Sequence, residues 1–151
     1  MKYFIYAIIG VVAAAVIAGF FIVGSPQEER LRRFDERRVQ DLQIIQGQIV
    51  NYWQSKQKLP ATLGDLKDTI SGFIPPQDPE SGADYIYEIK GPESFSLCAT
   101  FNRPSLSEDA GLRPAVPYPA EPYYAQQNWE HKEGLVCFDR KIDKELYPPA
   151  K

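Results

Sequence analysis

The chain has 151 residues, of which 44% are hydrophobic and 25% charged, a balance typical of a globular protein with one domain of ordinary size. With 17 Lys and Arg against 20 Asp and Glu, its net charge of -3 argues against a dedicated nucleic-acid-binding protein, which usually carries a basic surplus. Two cysteines and one histidine are too few for the usual four-ligand zinc site.

The first predicted element is an apolar segment, residues 3–23, that contains no charged residue. As a helix rising about 1.5 Å per residue, it would be about 30 Å long, which is the thickness of a bilayer's hydrocarbon core. It is longer than the roughly 7–15 apolar residues of a cleaved signal peptide. A buried soluble helix is the alternative, but nothing polar marks any face of the segment. We therefore predict an uncleaved membrane anchor over residues 1–24.

A long amphipathic helix is predicted next, over residues 25–57. Ser25, Pro26 and Glu28 have the pattern of a helix start with a capping box. Hydrophobic residues then recur at spacings of mostly three or four and form one stripe: Leu31, Phe34, Val39, Leu42, Ile45, Ile49, Tyr52 and Trp53. We expect the second half of this stripe to pack on a sheet. The first half, with Leu31 and Phe34, either protrudes as a stalk or packs against copies of itself.

Charged residues flank the first half of the stripe: Glu28, Glu29, Arg30, Arg32, Arg33, Asp35, Glu36, Arg37, Arg38 and Asp41. Opposite charges four residues apart, such as Glu29 with Arg33 and Arg37 with Asp41, predict a solvated helix face. Contact of the arginines with anionic lipids is a second interpretation. The positive-inside bias would place the following domain in the cytoplasm. The two cysteines of that domain favour the outside, because a disulfide needs an oxidising compartment. We expect the outside orientation.

Residues 58–151 are predicted to form a small α+β domain. The pattern of residues 61–70 is typical of one short helix with Thr62 as its cap. Three segments predict the strands of an antiparallel sheet, the first two joined as a hairpin: residues 84–90, 94–101 and 134–140. The expected fold class is thus α+β, with an N-terminal transmembrane helix and a long amphipathic helix packed on a small antiparallel β-sheet.

Cys98 and Cys137 each fall within a predicted strand. A disulfide between them would bound a loop of residues 99–136 and stabilise the fold by roughly 3–4 kcal/mol in the chain-entropy model. It would require an oxidising compartment. Two buried free thiols are the alternative, and we expect the disulfide.

The loop between the cysteines is rich in proline and carries four aromatic residues as candidate partner contacts: Tyr118, Tyr123, Tyr124 and Trp129. Exposed Tyr and Trp favour contact surfaces. The same residues would equally serve to cover the edge of a small sheet, and the sequence leaves both interpretations open.

No pattern for catalysis or cofactor binding is found, since neither G-x-S-x-G nor a phosphate-binding loop occurs. We expect no enzymatic activity, no cofactor and no bound metal, and we expect His131 to be solvated. The acids Asp78, Glu80 and Asp84 have the oxygen ligands that Ca²⁺ prefers. The proline and glycine between them favour a structural turn instead.

The order of these features resembles type IV pilins, and most closely the globular part of the major pseudopilin of type II secretion. Three stretches carry the resemblance: Asp41-Leu42-x-x-Ile45-x-x-x-Ile49-x-x-Tyr52, then Lys58-Leu59-Pro60-Ala61-Thr62-Leu63-x-x-Leu66, then Pro76-Gln77-Asp78-Pro79-Glu80-Ser81-Gly82 followed by Tyr85-x-Tyr87. The loop between the cysteines is similar to the disulfide-bounded variable region of many pilins. The N-terminal segment departs from the pilin pattern, and we expect it to act as a plain signal anchor.

This resemblance implies a non-enzymatic, single-pass protein of the bacterial cell membrane with an extracytoplasmic domain. It would be a subunit or minor component of a type IV pilus or secretion pseudopilus, with further copies or other pilin-like proteins as partners. Neither a small-molecule substrate nor a nucleic acid is implied. The alternative is a membrane-tethered binding or sensing module that does not polymerise.

Overall fold

The computed structural model describes residues 2–23, 26–105 and 128–148, except for the side chains of 2, 5, 7, 15–18, 20–23 and 26. Its elements are, in chain order, helix α1 (Lys2–Val23), helix α2 (Pro26–Lys56), a 3-10 helix (Leu63–Leu66) and strands β1 (Ile86–Gly91), β2 (Ser94–Phe101) and β3 (Gly134–Lys141). Among the residues so described, no helix is long and apolar enough to cross a membrane. The chain divides into two compact units, Met1–Arg33 and Phe34–Lys151, and the second contains the sheet and the hydrophobic core.

The second half of α2 contributes one side of the hydrophobic core. Leu42, Ile45, Ile49 and Trp53 are buried, because their spacing of three or four residues places them on one side of the helix. They belong to one cluster with the inward-facing residues of the sheet. This confirms the prediction that the helix packs on a sheet. The helix ends at Lys56, and Gln57 adopts a left-handed conformation (φ 57°) while its N–H donates to Trp53 O at 2.8 Å.

The described strands form one antiparallel sheet in the order β1-β2-β3. The first two form the predicted hairpin, and β2 has the predicted bounds. By contrast, β1 begins two residues later and ends one residue later than predicted, and β3 ends one residue later. Leu97 lies between Tyr87 and Phe138 in the register. Because successive side chains of a strand alternate between faces, this row points towards the core and the next row, centred on Cys98, points away from it.

The predicted helix over residues 61–70 is wrong except for the 3-10 helix Leu63–Leu66. Beyond it, the carboxylate of Asp68 accepts hydrogen bonds from the N–H groups of Ile70 and Ser71, at 3.0 and 3.2 Å. Such local side-chain bonds compete with helix formation and favour a turn. Ile70, which a helical stripe would have buried, is 96% exposed.

A disulfide joins Cys98 to Cys137, as predicted, with an S–S distance of 2.09 Å. The two residues lie directly opposite each other on β2 and β3, with Cα atoms 4.0 Å apart. Cys98 is buried and Cys137 is exposed. The bond therefore fastens β3 to the central strand on the face of the sheet that is turned away from α2.

Candidate functional site

A buried arginine ties α2 to the turn before β1. The side chain of Arg38 is 4% exposed, and it donates to Asp35 Oδ1 at 2.8 Å, Asp78 Oδ2 at 2.5 Å and Glu80 Oε2 at 2.7 Å. A planar guanidinium with five N–H donors suits such a convergence of carboxylates. Asp35 also accepts the backbone N–H groups of the two residues that follow β2, each at 2.9 Å. These contacts, which we call the Arg38 network, thus join three separate segments.

The turn that contains Asp78, Glu80 and Asp84, which we call the acidic turn, folds around Asp78. Its Oδ1 accepts hydrogen bonds from the N–H of Glu80 at 3.0 Å and from the N–H and hydroxyl of Ser81 at 2.8 and 3.0 Å. Its backbone N–H donates to Ala83 O at 2.9 Å. Gly82 has φ +71°, a conformation that glycine adopts without strain. This is the structural turn that the sequence favoured.

Hydrogen bonding keeps two acids of the network, Asp78 and Glu80, ionised. Burial opposes ionisation of Asp78, but bonds from Arg38 and Ser81 outweigh it and hold the pKa of Asp78 well below its ordinary value of 3.8. Bonds from Asn102 and Arg38 lower the pKa of Glu80 below its ordinary value of 4.5. Burial acts to lower the pKa of Arg38, and the bonds to its carboxylate partners outweigh burial and raise it. Asp78, Glu80 and Arg38 are therefore all charged at neutral pH.

The expected solvated face of α2 is wrong for three of its charged residues, because Asp35, Arg38 and Asp41 are buried. They stand three residues apart and continue the line of the apolar stripe towards the start of the helix, so they turn to the same side. The pair Glu29–Arg33 does lie at an exposed position, with Arg33 Nε 3.3 Å from Glu29 Oε1. The position of these three charged residues in line with the apolar stripe was the signal in the sequence that could have predicted their burial.

Asp41 makes a second buried polar contact. The hydroxyl of Tyr85 donates to Asp41 Oδ2 at 3.0 Å, and burial together with this bond raises the pKa of Tyr85 above its ordinary value. Arg37 Nε lies 3.2 Å from Asp41 Oδ1, which is an ion-pair distance. The angle is unsuited to a hydrogen bond, however, and Oδ1 has no hydrogen-bond partner among the described residues. Asp41 therefore fastens α2 to the residue just before β1.

A groove of about 410 Å³ runs beside the second half of α2. Its helix wall includes Gln43, Gly47, Asn51 and Gln54, and its other wall is formed by Trp129 and Tyr147. The volume falls within the range of about 300–1,000 Å³ that is typical of small-molecule sites. Its lining is mostly uncharged amide and aromatic, which suits a neutral polar occupant better than an ion.

Trp129 packs against the sheet. Its ring centroid lies 4.8 Å from that of Phe138, and the guanidinium carbon of Arg140 lies 4.3 Å from its centroid. Arg140 donates to Gln46 Oε1 at 2.9 Å and to Asn128 O at 2.8 Å, and burial lowers its pKa. Trp129 thus covers the sheet, as one of the two open interpretations has it, while a contact with a partner through this residue stays a prediction.

The expectation that His131 is solvated is wrong. The residue is buried, and its ring stacks on Phe101 with a centroid distance of 3.6 Å. Its backbone N–H donates to Ser105 Oγ at 3.2 Å, and the Ser105 N–H donates to His131 O at 2.9 Å. Because these bonds involve the histidine backbone, they do not form the ring-to-hydroxyl pair that activates a serine nucleophile. Their role is to join the segments on either side of residues 106–127.

Tyr118, Tyr123, Tyr124 and the predicted cap Ser25 lie outside the described residues. Leu31 and Phe34 are half-buried, and their role in assembly stays a prediction. In the described ranges, no group of three or more His, Cys, Asp or Glu side chains is placed to hold a metal ion. The third candidate calcium ligand, Asp84, accepts a hydrogen bond from Gln77 Nε2 at 2.9 Å.

No family model, no curated protein and no solved structure matches the chain.

Proposed function

We propose that the chain is a non-enzymatic, membrane-anchored envelope protein with a pilin-like ectodomain, and that it is a subunit or minor component of a bacterial type IV pilus or secretion pseudopilus. The observation that carries this proposal is the packing of one long helix, through Leu42, Ile45 and Ile49, on a small antiparallel sheet. A helix with an apolar N-terminal tract before it and a sheet wrapped on its second half is the arrangement that the resemblance implies.

The membrane part of the proposal is supported by the sequence alone. Residues 3–23 contain no charged side chain, and a helix of that length matches the thickness of a bilayer core of about 30 Å. The disulfide Cys98–Cys137 supports an extracytoplasmic location for the sheet, because such bonds persist in oxidising compartments and are rare in the cytosol. Together they favour a single-pass protein whose C-terminal domain lies outside the cytoplasm.

We assign partner recognition to two sets of residues, one on α2 and one in the stretch between the two cysteines. Leu31 and Phe34 stand on the first half of α2, where the charged residues leave a narrow apolar stripe for contact with neighbouring copies. Tyr118, Tyr123 and Tyr124 stand in the stretch bounded by the disulfide, and tyrosine is among the residues enriched at protein interfaces. Both places remain candidates for contact with further copies or with other pilin-like proteins.

Mechanical shearing of cells tests this proposal. We expect the chain to be recovered with sheared surface filaments, and we expect the double variant Leu31→Ser/Phe34→Ser to be lost from that fraction while its disulfide still forms. Ile70→Ser, at a 96% exposed position elsewhere in the domain, is the matched control and should be recovered as the wild type is. A chain that is monomeric in detergent and never present in the filament fraction would contradict the proposal.

The groove beside α2 favours one second candidate, a membrane-tethered binding or sensing module that does not polymerise. Its volume of about 410 Å³ and its aromatic and amide lining are suited to a neutral polar ligand. The shearing experiment separates the two candidates, since this one predicts no filament fraction. It also predicts that Trp129→Ala weakens ligand binding, whereas a subunit of a filament would need Leu31 and Phe34.

A further inference from the structure

The groove beside α2 has one wall of side-chain amides, which we call the amide wall. It is formed by Gln43, Gln46, Asn51 and Gln54. These residues are three, five and three positions apart, so they lie on one side of the helix. At a rise of about 1.5 Å per residue, they extend over about 16 Å along it. The groove therefore offers a row of hydrogen-bonding groups rather than a single polar point.

Two amides of this wall are oriented by contacts with other parts of the fold. Gln46 Oε1 accepts a hydrogen bond from Arg140 Nε at 2.9 Å, so the NH₂ group of Gln46 remains to donate to a ligand. Gln54 Nε2 donates to Pro148 O at 3.0 Å, so the side-chain oxygen of Gln54 remains to accept. The wall thus presents both a donor and an acceptor whose positions are set before a ligand binds.

The opposite wall is aromatic, and its main residue is held in place. Trp129 is half-buried, with its ring centroid 4.8 Å from that of Phe138 and 4.3 Å from the guanidinium carbon of Arg140. The face of an aromatic ring carries partial negative charge and attracts C–H groups, whose hydrogens are partially positive. A side chain that is already fixed loses little conformational entropy when a ligand packs on it.

The two walls together select a class of ligand. In the described part of the chain no charged side chain lines the groove, so a charged ligand would lose its water without gaining an opposite charge. An apolar ligand would leave the amides without hydrogen-bond partners. A neutral sugar ring has C–H groups on its faces and hydroxyl groups around its rim, and each hydroxyl both donates and accepts. Such a ring matches an aromatic wall with one of its surfaces and an amide wall with the other.

A peptide fits this groove less well. Peptides are commonly bound at the edge of a sheet, in an apolar groove or in a groove lined by aromatic residues. The groove beside α2 lies on a helix rather than at a sheet edge, and one of its walls is amide. The observations therefore favour a sugar, and a peptide becomes an outcome of the test below.

We propose that the groove beside α2 binds a neutral oligosaccharide, with a sugar ring stacked on Trp129 and its hydroxyl groups bonded to the amide wall. Gly47 keeps the centre of the groove open, because in the described part of the chain no atom lies within 4 Å of the place where its Cβ would stand. The proposal rests on the groove of the second candidate function and names its ligand. It holds equally for a filament subunit, since Leu31 and Phe34 do not line the groove.

Isothermal titration calorimetry tests the proposal with three neutral trisaccharides: maltotriose, cellotriose and chitotriose in its N-acetylated form. The full chain is used in a detergent without a sugar headgroup, which would otherwise compete for the groove. We expect saturable binding of at least one of the three. The dissociation constant should not change when salt is raised to about 0.5 M, since the contact involves no charge.

Two variants locate the binding. Asn51→Ala removes an exposed amide of the wall and should raise the dissociation constant about fivefold to tenfold, because hydrogen bonds to the sugar are lost. Gln48→Ala removes an amide of the same helix that does not line the groove, and it should bind as the wild type does. Gly47→Phe should abolish binding by filling the centre of the groove, while its disulfide still forms.

The proposal is overturned if none of the three sugars binds, including the case in which a neutral proline-rich peptide binds in their place. It is also overturned if a sugar binds Asn51→Ala and Gly47→Phe as tightly as it binds the wild type. Loss of sugar binding in Gly47→Phe, with that variant still recovered in sheared filaments, would support the sugar site and leave the pilus proposal intact. Sugar binding by a chain that never enters filaments would support the site and contradict the pilus proposal alone.

Discussion

At Arg38, one buried guanidinium faces the carboxylates of Asp35, Asp78 and Glu80. Removal of such charges from water is costly, and their mutual attraction offsets the cost only while every partner is present. The segments that the network joins are far apart in sequence, with Arg38 and Asp78 separated by 40 residues. A substitution at Arg38 should therefore disturb the packing of α2, the acidic turn and the end of β2 together.

Replacement of Arg38 by methionine should lower the free energy of unfolding by about 3–5 kcal/mol, since it leaves buried carboxylates without their cation. Urea unfolding at neutral pH measures this loss. The matched control is Arg33→Met, whose exposed pair with Glu29 should contribute less than about 1 kcal/mol. Equal losses for the two variants would contradict a structural role for the network.

The same network predicts how stability depends on pH. The pKa values of Asp78 and Glu80 are lowered by folding, so the unfolded chain binds more protons than the folded chain in acid. Their contribution is fully present above the ordinary values of 3.8 and 4.5 and is lost as the pH falls through the lower, folded values. Urea unfolding between pH 7 and pH 3 should show a decline below about pH 4.5 that is shallower in Asp78→Asn. An identical slope in that variant would contradict this assignment.

At the scale of elements, local patterns were enough for the parts of the fold that depend on periodicity. The stripe of α2 predicted its bounds to within one residue and the apolar part of its buried side, and the alternation of β2 predicted its bounds and its inward-facing row. The position of Cys98 and Cys137 within strands predicted their pairing. The stretch 61–70 failed because the carboxylate of Asp68 bonds to nearby backbone N–H groups, a competition that hydrophobic spacing does not reveal.

Contacts between distant segments were the part that the sequence could not supply. The burial of Arg38 needs the acidic turn to fold beneath it, and the stacking of His131 on Phe101 needs the two ends of a long connection to meet. Trp129 likewise sits under Arg140 of the next strand. Each of these contacts joins residues that are far apart in the sequence, so the local pattern around either residue does not predict it.

The burial of residues three or four apart on one side of α2 predicts a sharp contrast between two adjacent isoleucines. Ile45→Ala should lower the free energy of unfolding by about 2–5 kcal/mol, because it leaves a cavity in the core. Ile44→Ala, at a position that is 45% exposed, should change it by less than about 0.5 kcal/mol. Urea unfolding of both variants measures the difference, and similar losses would mean that the face of α2 that packs on the sheet has been misassigned.

The disulfide should contribute to stability by restricting the unfolded chain. Cys98→Ala/Cys137→Ala should unfold with a free energy about 2–5 kcal/mol lower than the wild type, and reductant should lower the wild type by a similar amount. Reductant should leave the double variant unaffected, which is the control for effects of reductant elsewhere. A loss below about 1 kcal/mol would indicate that the sheet and the packing on α2 hold β3 in place without the bond.

At the scale of the whole molecule, the proposed function requires an apolar N-terminal tract followed by a domain whose segments are held together by two kinds of contact. The Arg38 network fastens α2 to the turn before the sheet, and the disulfide fastens β3 to the centre of the sheet. The disulfide suits a small domain exposed to the outside, where a cytosolic reducing system is absent. The location of that domain is thus the claim on which the envelope function depends.

The redox state of Cys98 and Cys137 in living cells tests that claim most directly. Cells are quenched in acid, and the chain is alkylated with a thiol reagent before and after reduction and then weighed by mass spectrometry. We predict that neither cysteine is alkylated until the reductant is added, because the disulfide forms in an oxidising compartment. Alkylation of both cysteines without any reductant would place the domain in a reducing compartment and contradict the proposed extracytoplasmic function.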